Sequence, residues 1–220
     1  MVISIIIIIL IILSYGIFPT YGYKIYQKSK KNKSSKIYLT FDDGPSEYTI
    51  QLLQLLDKYH ISATFFMVAN SISKHADTVV KMQKNHVLGL HSFSHKSALL
   101  QLVGETKQDF EKSIQITGKY DIHYFRPPWG HFTVATLYQL KKHHLKLILW
   151  DVMAEDWEQD TTAKEIADKL KRRVKQGSII CLHDGRGNGA PQRTIEALQE
   201  VIPYWIDKGY QFDTVDHYEK

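Results

Sequence analysis

Parallel strands joined by helices, an α/β domain, is the fold class this sequence predicts, and three observations predict it. Apolar runs of strand length alternate with stretches of helical periodicity from residue 37 to the end of the 220-residue chain. No repeat or low-complexity segment interrupts the alternation. The reactive side chains gather just after the strand-like runs instead of scattering along the chain. Repeated strand–helix units imply helical crossovers, in either a barrel or an open doubly wound sheet.

The first strand, 37–41, is a short alternating run that stops at adjacent carboxylates, Asp42 and Asp43, before Gly44-Pro45. Ser46 is the candidate N-cap of a helix whose apolar face carries Leu52, Leu53, Leu55 and Leu56. Residues 63–68 form a second strand, 73–85 a helix and 87–90 a third strand. A helix near 105–117 precedes Tyr124-Phe125, and one over 133–143 precedes a strand over 145–150. Another over 162–174 precedes the strand 178–182, 192–208 is helical, and 210–215 closes the series.

The N-terminal part differs in kind. Val2 to Phe18 is almost all Ile, Leu and Val, and as a helix it spans ~25 Å, at the short end of a bilayer crossing. A buried core helix would keep a polar face, and this run has none. A cleaved signal peptide is the competitor, but the apolar run is long and Ser14-Tyr15-Gly16 is a poor cleavage site. The expectation is an uncleaved N-terminal membrane anchor over 1–20 and a Lys-rich linker over 21–35, with the folded α/β domain over 36–220. Lys24, Lys28, Lys30, Lys31, Lys33 and Lys36 fall in one segment without an acid. Setting them aside leaves 22 basic against 23 acidic residues, so the +5 net charge is local and nucleic acid is not the expected partner. No protein partner is implied. The one cysteine, Cys181, excludes an internal disulfide framework.

Chemistry-bearing residues follow five strands. Asp42 and Asp43 follow the first, His91 to His95 the third, and Arg126-Pro127-Pro128-Trp129 the next. Asp151, Glu155, Asp156 and Trp157 come after the strand ending at Trp150, and His183-Asp184 after the strand ending at Leu182. Side chains at strand carboxyl ends are what a (β/α) barrel active site requires. Adjacent carboxylates repel, and a cation relieves that by binding one and leaving the other free as a base. His91 and His95 stand four apart, so one helical turn would bring both imidazoles to one side, a metal-ligand spacing. Two histidines and one aspartate leave positions for water and substrate; a closed structural zinc site would call for a fourth ligand, often Cys. His183 could protonate a leaving group, Asp156 could balance Arg126, and Trp129 and Trp157 offer flat walls for sugar rings.

Together these residues resemble the NodB-type polysaccharide deacetylases, carbohydrate esterase family four. The resemblance covers residues 36–216 and rests on five motifs in order: Thr40-Phe41-Asp42-Asp43-Gly44-Pro45, His91-Ser92-Phe93-Ser94-His95, Arg126-Pro127-Pro128-Trp129, Asp156-Trp157 and Leu182-His183-Asp184. It implies an irregular (β/α)7 barrel. It also implies Asp42 as base, Asp43, His91 and His95 as metal ligands, and Arg126 as the residue orienting the base. His183 becomes the general acid, Asp156 a charge partner of the catalytic groups, and a backbone amide near Trp129 an oxyanion donor. Trp129, Trp157 and Leu182 are the expected substrate contacts. The metal implied is zinc, with cobalt or nickel as borderline alternatives. Two positions depart from the family pattern: Met153, where an acid is frequent, and Leu90, where Asn is frequent.

The function this implies is hydrolysis of N-acetyl groups on N-acetylglucosamine-type residues of peptidoglycan or a chitin-like glycan. An O-acetyl esterase of the same fold is the runner-up, and an inactive tethered glycan-binding relative is the alternative from another class. Six lysines after the apolar run and none before it would place the domain in the cytoplasm. The glycan lies outside, and that favours an external, membrane-anchored domain, or a secreted one if the segment is cleaved.

Overall fold

A computed structural model describes residues 6, 10, 13–29, 34–185, 187 and 189–218. Its sheet strands are β1 Lys36–Asp42, β2 Thr64–Met67, β3 Val87–Leu90, β4 Ile122–Phe125, β5 Lys146–Leu147, β6 Val152–Met153, β7 Ile179–His183 and β8 Gln211–Asp213. The longer helices are α1 Phe18–Ser29, α2 Thr49–Lys58, α3 Ala76–Asn85, α4 Val103–Thr117, α5 Val134–Lys142, α6 Ala163–Arg173 and α7 Ala190–Asp207. Every strand pair is parallel, in the order β5-β4-β3-β2-β1-β7-β6, with β8 paired to the start of β1.

Central β1 is buried on both faces, as parallel sheets covered by crossover helices require. Ile37, Leu39 and Phe41 face the helices and join a core that includes Leu52 and Leu56 of α2 and Leu198, Val201 and Trp205 of α7. The alternate residues face the concave interior, where Tyr38 packs with Phe66, Tyr124, Ile148, Ile179 and Val215.

The sheet curls without a strand pair joining its two ends among the described residues. The strand expected over 145–150 shrinks to β5, and the chain pairs again only at β6. Arg126 is the cause: its Nε donates to the Ile148 carbonyl (3.4 Å) and its Nη2 to the Leu149 carbonyl (3.2 Å), taking acceptors a ladder would use. The architecture is therefore a curled, parallel-stranded half-barrel with helices outside.

Two helix starts, those of α5 and α6, carry threonine caps. Thr162 caps α6, accepting from Glu165 N (3.2 Å) while Glu165 Oε2 accepts from Thr162 N (2.8 Å). Ser46 does not cap α2; the helix begins at Thr49 with Tyr48 at its N-cap, and the Ser46 hydroxyl accepts from Tyr48 N (3.2 Å) and donates to the Asp184 carbonyl.

The N-terminal reading meets a partly different structure. Half of the anchor expected over 1–20 lies outside the described residues, and among those described no helix is long and apolar enough to cross a membrane. The segment expected as linker is helical up to Ser29 and sits on the domain. Buried Thr20 donates to the Phe132 carbonyl (2.6 Å) and accepts from Phe132 N (3.0 Å), and Tyr23 packs edge-on to the Phe132 ring at 5.7 Å.

His86, between α3 and β3, is a structural histidine. It accepts from Ala63 N through Nδ1 (3.2 Å), and burial pushes it down to about 4 against a weaker upward pull from Asp57. The unfolded chain binds its proton below pH ~6.5 and the folded chain only near 4, so this contribution is intact above that range and lost as pH falls through it. His86→Gln keeps an acceptor without the titration. The stability gap between wild type and this variant is expected to narrow by about 2 kcal/mol between pH 7.5 and 4.5 in urea melts. An unchanged gap would place the titration elsewhere.

Candidate active site

At the carboxyl end of β1, Asp42 continues the strand and Asp43 turns out of it with φ 75°. Asp42 is held from two directions. Arg126 Nη1 donates to its Oδ1 at 2.7 Å and the Cys181 thiol donates to Oδ2 at 3.3 Å, while the same Arg126 nitrogen also donates to the Thr40 hydroxyl at 2.7 Å. Arg126 is fully buried, with its guanidinium 4.1 Å from the Phe66 ring centre and 5.7 Å from that of Trp150. Gly89 makes this possible, because a Cβ there would lie 2.5 Å from Phe66. A charge buried so deeply requires a partner, and Asp42 is that partner. The pairing of Arg126 with Asp156 expected from the sequence is not formed.

Asp43, His91 and His95 converge. His91 Nε2 lies 3.4 Å and His95 Nε2 2.9 Å from Asp43 Oδ1, and one ligand atom from each residue falls within a 4.8 Å cluster. The spacing of His91 and His95 works differently from a helical turn. Ser92 and His95 both adopt left-handed backbone, with φ 69° and 57°, so the chain loops at the end of β3. Asp109 of α4 fixes that loop, accepting from Phe93 N (2.8 Å) and from the Ser94 hydroxyl (3.1 Å). His95 N donates to Ser92 Oγ at 2.8 Å.

The donor set fits a metal ion. His91 Nδ1 contacts the Arg126 carbonyl at 2.7 Å, and a carbonyl only accepts, so Nδ1 carries the proton and Nε2 turns a lone pair into the cluster. Asp43 Oδ1 is buried without a hydrogen-bond donor. Burial pushes the Asp43 carboxyl up, but the His95 contact and the charges of His91, His95 and His183 outweigh it and hold the group far below the usual carboxylate range. A second cluster, Asp42, Cys181 and His183, suits a metal poorly: burial and the Asp42 charge keep the thiol protonated, and its hydrogen points at Asp42.

Opposite Asp42 in the β1–β7 register stands His183. Asp156, fully buried, accepts from His183 N (2.8 Å) and from His183 Nδ1 (2.9 Å), and Thr194 of α7 donates to the same carboxylate (2.8 Å). Burial pushes the imidazole down, but the charge and hydrogen bond of Asp156, helped by Asp42 and Asp43, raise it to about 9. His183 is thus an acid at neutral pH with Nε2 free to face the site.

These groups border a cavity of about 310 Å³, walled by Trp129, Trp150, Met153 and Trp157. Trp157 stands edge-on to His183 at 5.3 Å, and Trp129 leans over His95 at 5.5 Å. Trp129 is held outward by a left-handed backbone, φ 62°. Leu182 is a correction. It is fully buried on the helix-facing side of β7 within the core, because side chains alternate along a strand and its neighbours Cys181 and His183 take the site face. Sequence reading gave no role to Thr40, which lies within the first motif, nor to Asp109, Trp150 and Thr194, which lie outside the motifs; Thr40, Asp109 and Thr194 act through partners distant in sequence.

Comparison with known proteins agrees with this geometry. The family model for polysaccharide deacetylase matches residues 29–148, more than half of the chain, and the chain belongs to that family. A peptidoglycan-N-acetylglucosamine deacetylase of Bacillus cereus is 32% identical over 199 residues, which span 84% of this chain and 88% of that protein. A bifunctional xylanase/deacetylase of Pseudobutyrivibrio xylanivorans is 32% identical over 185 residues, 81% of this chain; the chain spans only 29% of that larger protein. Among solved structures, a peptidoglycan N-acetylglucosamine deacetylase in complex with 4-naphthalen-1-yl-N-oxidanyl-benzamide superposes with TM-score 0.79 at 27% identity, covering 86% of this chain and 89% of the other.

Proposed function

We propose that the chain is a metal-dependent hydrolase that removes acetyl groups from N-acetylated sugars of a glycan, with peptidoglycan as the leading substrate. The observation that carries this is the placement of Asp42 and His183 on neighbouring strands beside the Asp43–His91–His95 cluster. The relatives that match over most of their own length include one that acts on peptidoglycan N-acetylglucosamine, as its name states.

Asp43, His91 and His95 would hold the ion, and zinc suits one carboxylate and two imidazoles, with cobalt or nickel as substitutes. Such an ion would supply Lewis-acid polarisation of the acetyl carbonyl and lower the pKa of a water molecule beside Asp42. Asp42 takes the proton of the attacking water, and the guanidinium of Arg126 keeps that carboxylate ionised and aimed. A backbone amide near Trp129 takes the role of oxyanion donor. His183, protonated and braced by Asp156, gives its proton to the amide nitrogen as the C–N bond breaks, releasing acetate and a free amine. Trp129 and Trp157 flank the sugar ring. The segment ahead of the domain is read as a membrane anchor, with the domain on the outer side where the glycan lies.

Acetate release by the full chain in detergent, from peptidoglycan and from chito-oligosaccharide, tests this. Release is expected to vanish on chelation and return with zinc, with peptidoglycan preferred. Release unaffected by chelation would overturn the reading, and release only from O-acetylated xylan would make the protein an esterase.

A further inference from the structure

Helix α1 is a bridge between the apolar N-terminal run and one particular face of the domain. Thr20 and Tyr23 seat it on Phe132, and its opposite side exposes Phe18 (60%), Tyr21 (50%) and Ile25 (70%), a stripe at i, i+3 and i+7. Just before α1, Gly16 is pressed against the domain: a Cβ there would lie 2.6 Å from Leu99 and 3.6 Å from Thr133. Leu99 opens a surface segment on which Leu100 (86%), Leu102 (76%) and Val103 (60%) are exposed. Four large apolar side chains in five residues, at a loop and a helix start, are an exposed patch that a soluble surface rarely carries.

The geometry points to a lipid bilayer as what covers this patch: the face made by Phe18, Tyr21, Ile25, Leu100, Leu102 and Val103 lies on the membrane surface. Three observations favour a bilayer over other occupants. The apolar run 2–12 precedes in sequence the segment whose Gly16 packs beside Leu99, the neighbour of Leu100. Lys24, Lys28, Lys30, Lys31 and Lys33 follow within the same segment without an acid, and they complement an anionic headgroup layer. The exposed stripe of α1 pairs apolar and Tyr side chains with that basic flank, the composition of an interfacial helix.

The consequence concerns substrate access. Trp129 walls the active-site cavity and also a neighbouring cleft of about 490 Å³ lined by Leu99, Leu100 and His131. The cavity mouth therefore adjoins the docked face, and the enzyme draws its glycan from the layer nearest the membrane. The docked face goes beyond the proposed deacetylation and rests on the N-terminal run entering a bilayer; the access route rests in addition on the glycan reading.

The test places a fluorophore on the full chain reconstituted in phosphatidylcholine vesicles with and without phosphatidylglycerol. Leu100→Cys and Leu102→Cys are labelled singly; the native Cys181 is fully buried and its thiol stays protonated. Lys208→Cys, exposed in the turn between α7 and β8 at the opposite end of the strands, is the control. Labels at 100 and 102 are expected to shift to the blue and to lose several-fold of the iodide quenching seen at 208, more so with the anionic lipid. Equal quenching at all three positions on protein that floats with the vesicles would overturn the docked face while leaving the anchor intact. Failure to float would overturn the anchor itself. Protection that persists in detergent and rises with protein concentration would assign the face to a second copy of the chain and overturn the proposal.

Discussion

Asp42→Asn is expected to lower turnover by roughly 10²–10⁴-fold while the metal content of the protein stays at one ion. Asparagine keeps the shape and one acceptor for Arg126, so the loop geometry survives, but it cannot take a proton from water. Asp43, which offers Oδ1 to His91 and His95, is untouched. The reciprocal variant, Asp43→Asn, is expected to lose the ion and activity together. Metal analysis beside acetate release separates the two roles. An Asp42→Asn protein that loses its ion while Asp43→Asn retains it would exchange the base and the ligand.

The same substitution has a structural price. Arg126 has zero exposure, and Asp42 is its one carboxylate partner within salt-bridge distance among the described residues. Removing one member of a buried ion pair costs about 3–5 kcal/mol, because the other charge is left uncompensated. Here the carbonyls of Ile148 and Leu149 and the Thr40 hydroxyl still accept from the guanidinium, which places the loss at the lower end of that range. Chemical melts of the purified variant measure it, and they must accompany the kinetics.

The parts legible in the sequence were those whose signal is local. β1, β3 and β7 are apolar runs that end in reactive residues, and a strand buried on both faces leaves little else to read. The motifs placed Asp42, Asp43, His91, His95, Arg126, Trp129, Asp156, Trp157 and His183 at one end of the sheet, and the structure brings them together there. What escaped depended on partners far along the chain. α1 spans the expected end of the anchor and the start of the expected linker, yet its seat on Phe132 joins residues 112 positions apart. The bend between His91 and His95 takes its support from Asp109, whose local sequence looks like an ordinary helix. β5 ends early because Arg126 claims the next two carbonyls. Leu182 was misplaced for another reason: it belongs to a motif, but strand alternation turns it away from the residues that carry the chemistry.

Asp156→Asn tests how the acid is made. His183 is raised to about 9, and the largest upward pull is the Asp156 charge, reinforced by the hydrogen bond to Nδ1. The deacetylation rate of the wild type should therefore hold through neutral pH and fall as His183 loses its proton, with a bound cation at Asp43 drawing that limb somewhat below 9. In Asp156→Asn, burial acts on the imidazole without its main counterweight, so the falling limb should move to lower pH. Activity at pH 8 should then drop by ~10²-fold, more than at pH 6. Stability carries the same signature with a definite sign. A raised imidazole stabilises fully below its unfolded value of ~6.5, and that stabilisation is lost as pH climbs through about 9; the integral over the window is ~3 kcal/mol. Wild-type stability should decline across that window, and Asp156→Asn should flatten the decline. Thr194→Val, which keeps the Asp156 charge and removes the hydroxyl that contacts Asp156 Oδ2 and the Ala190 carbonyl, should move the limb far less than Asp156→Asn does. A falling limb that stays in place in Asp156→Asn would remove His183 from the role of acid.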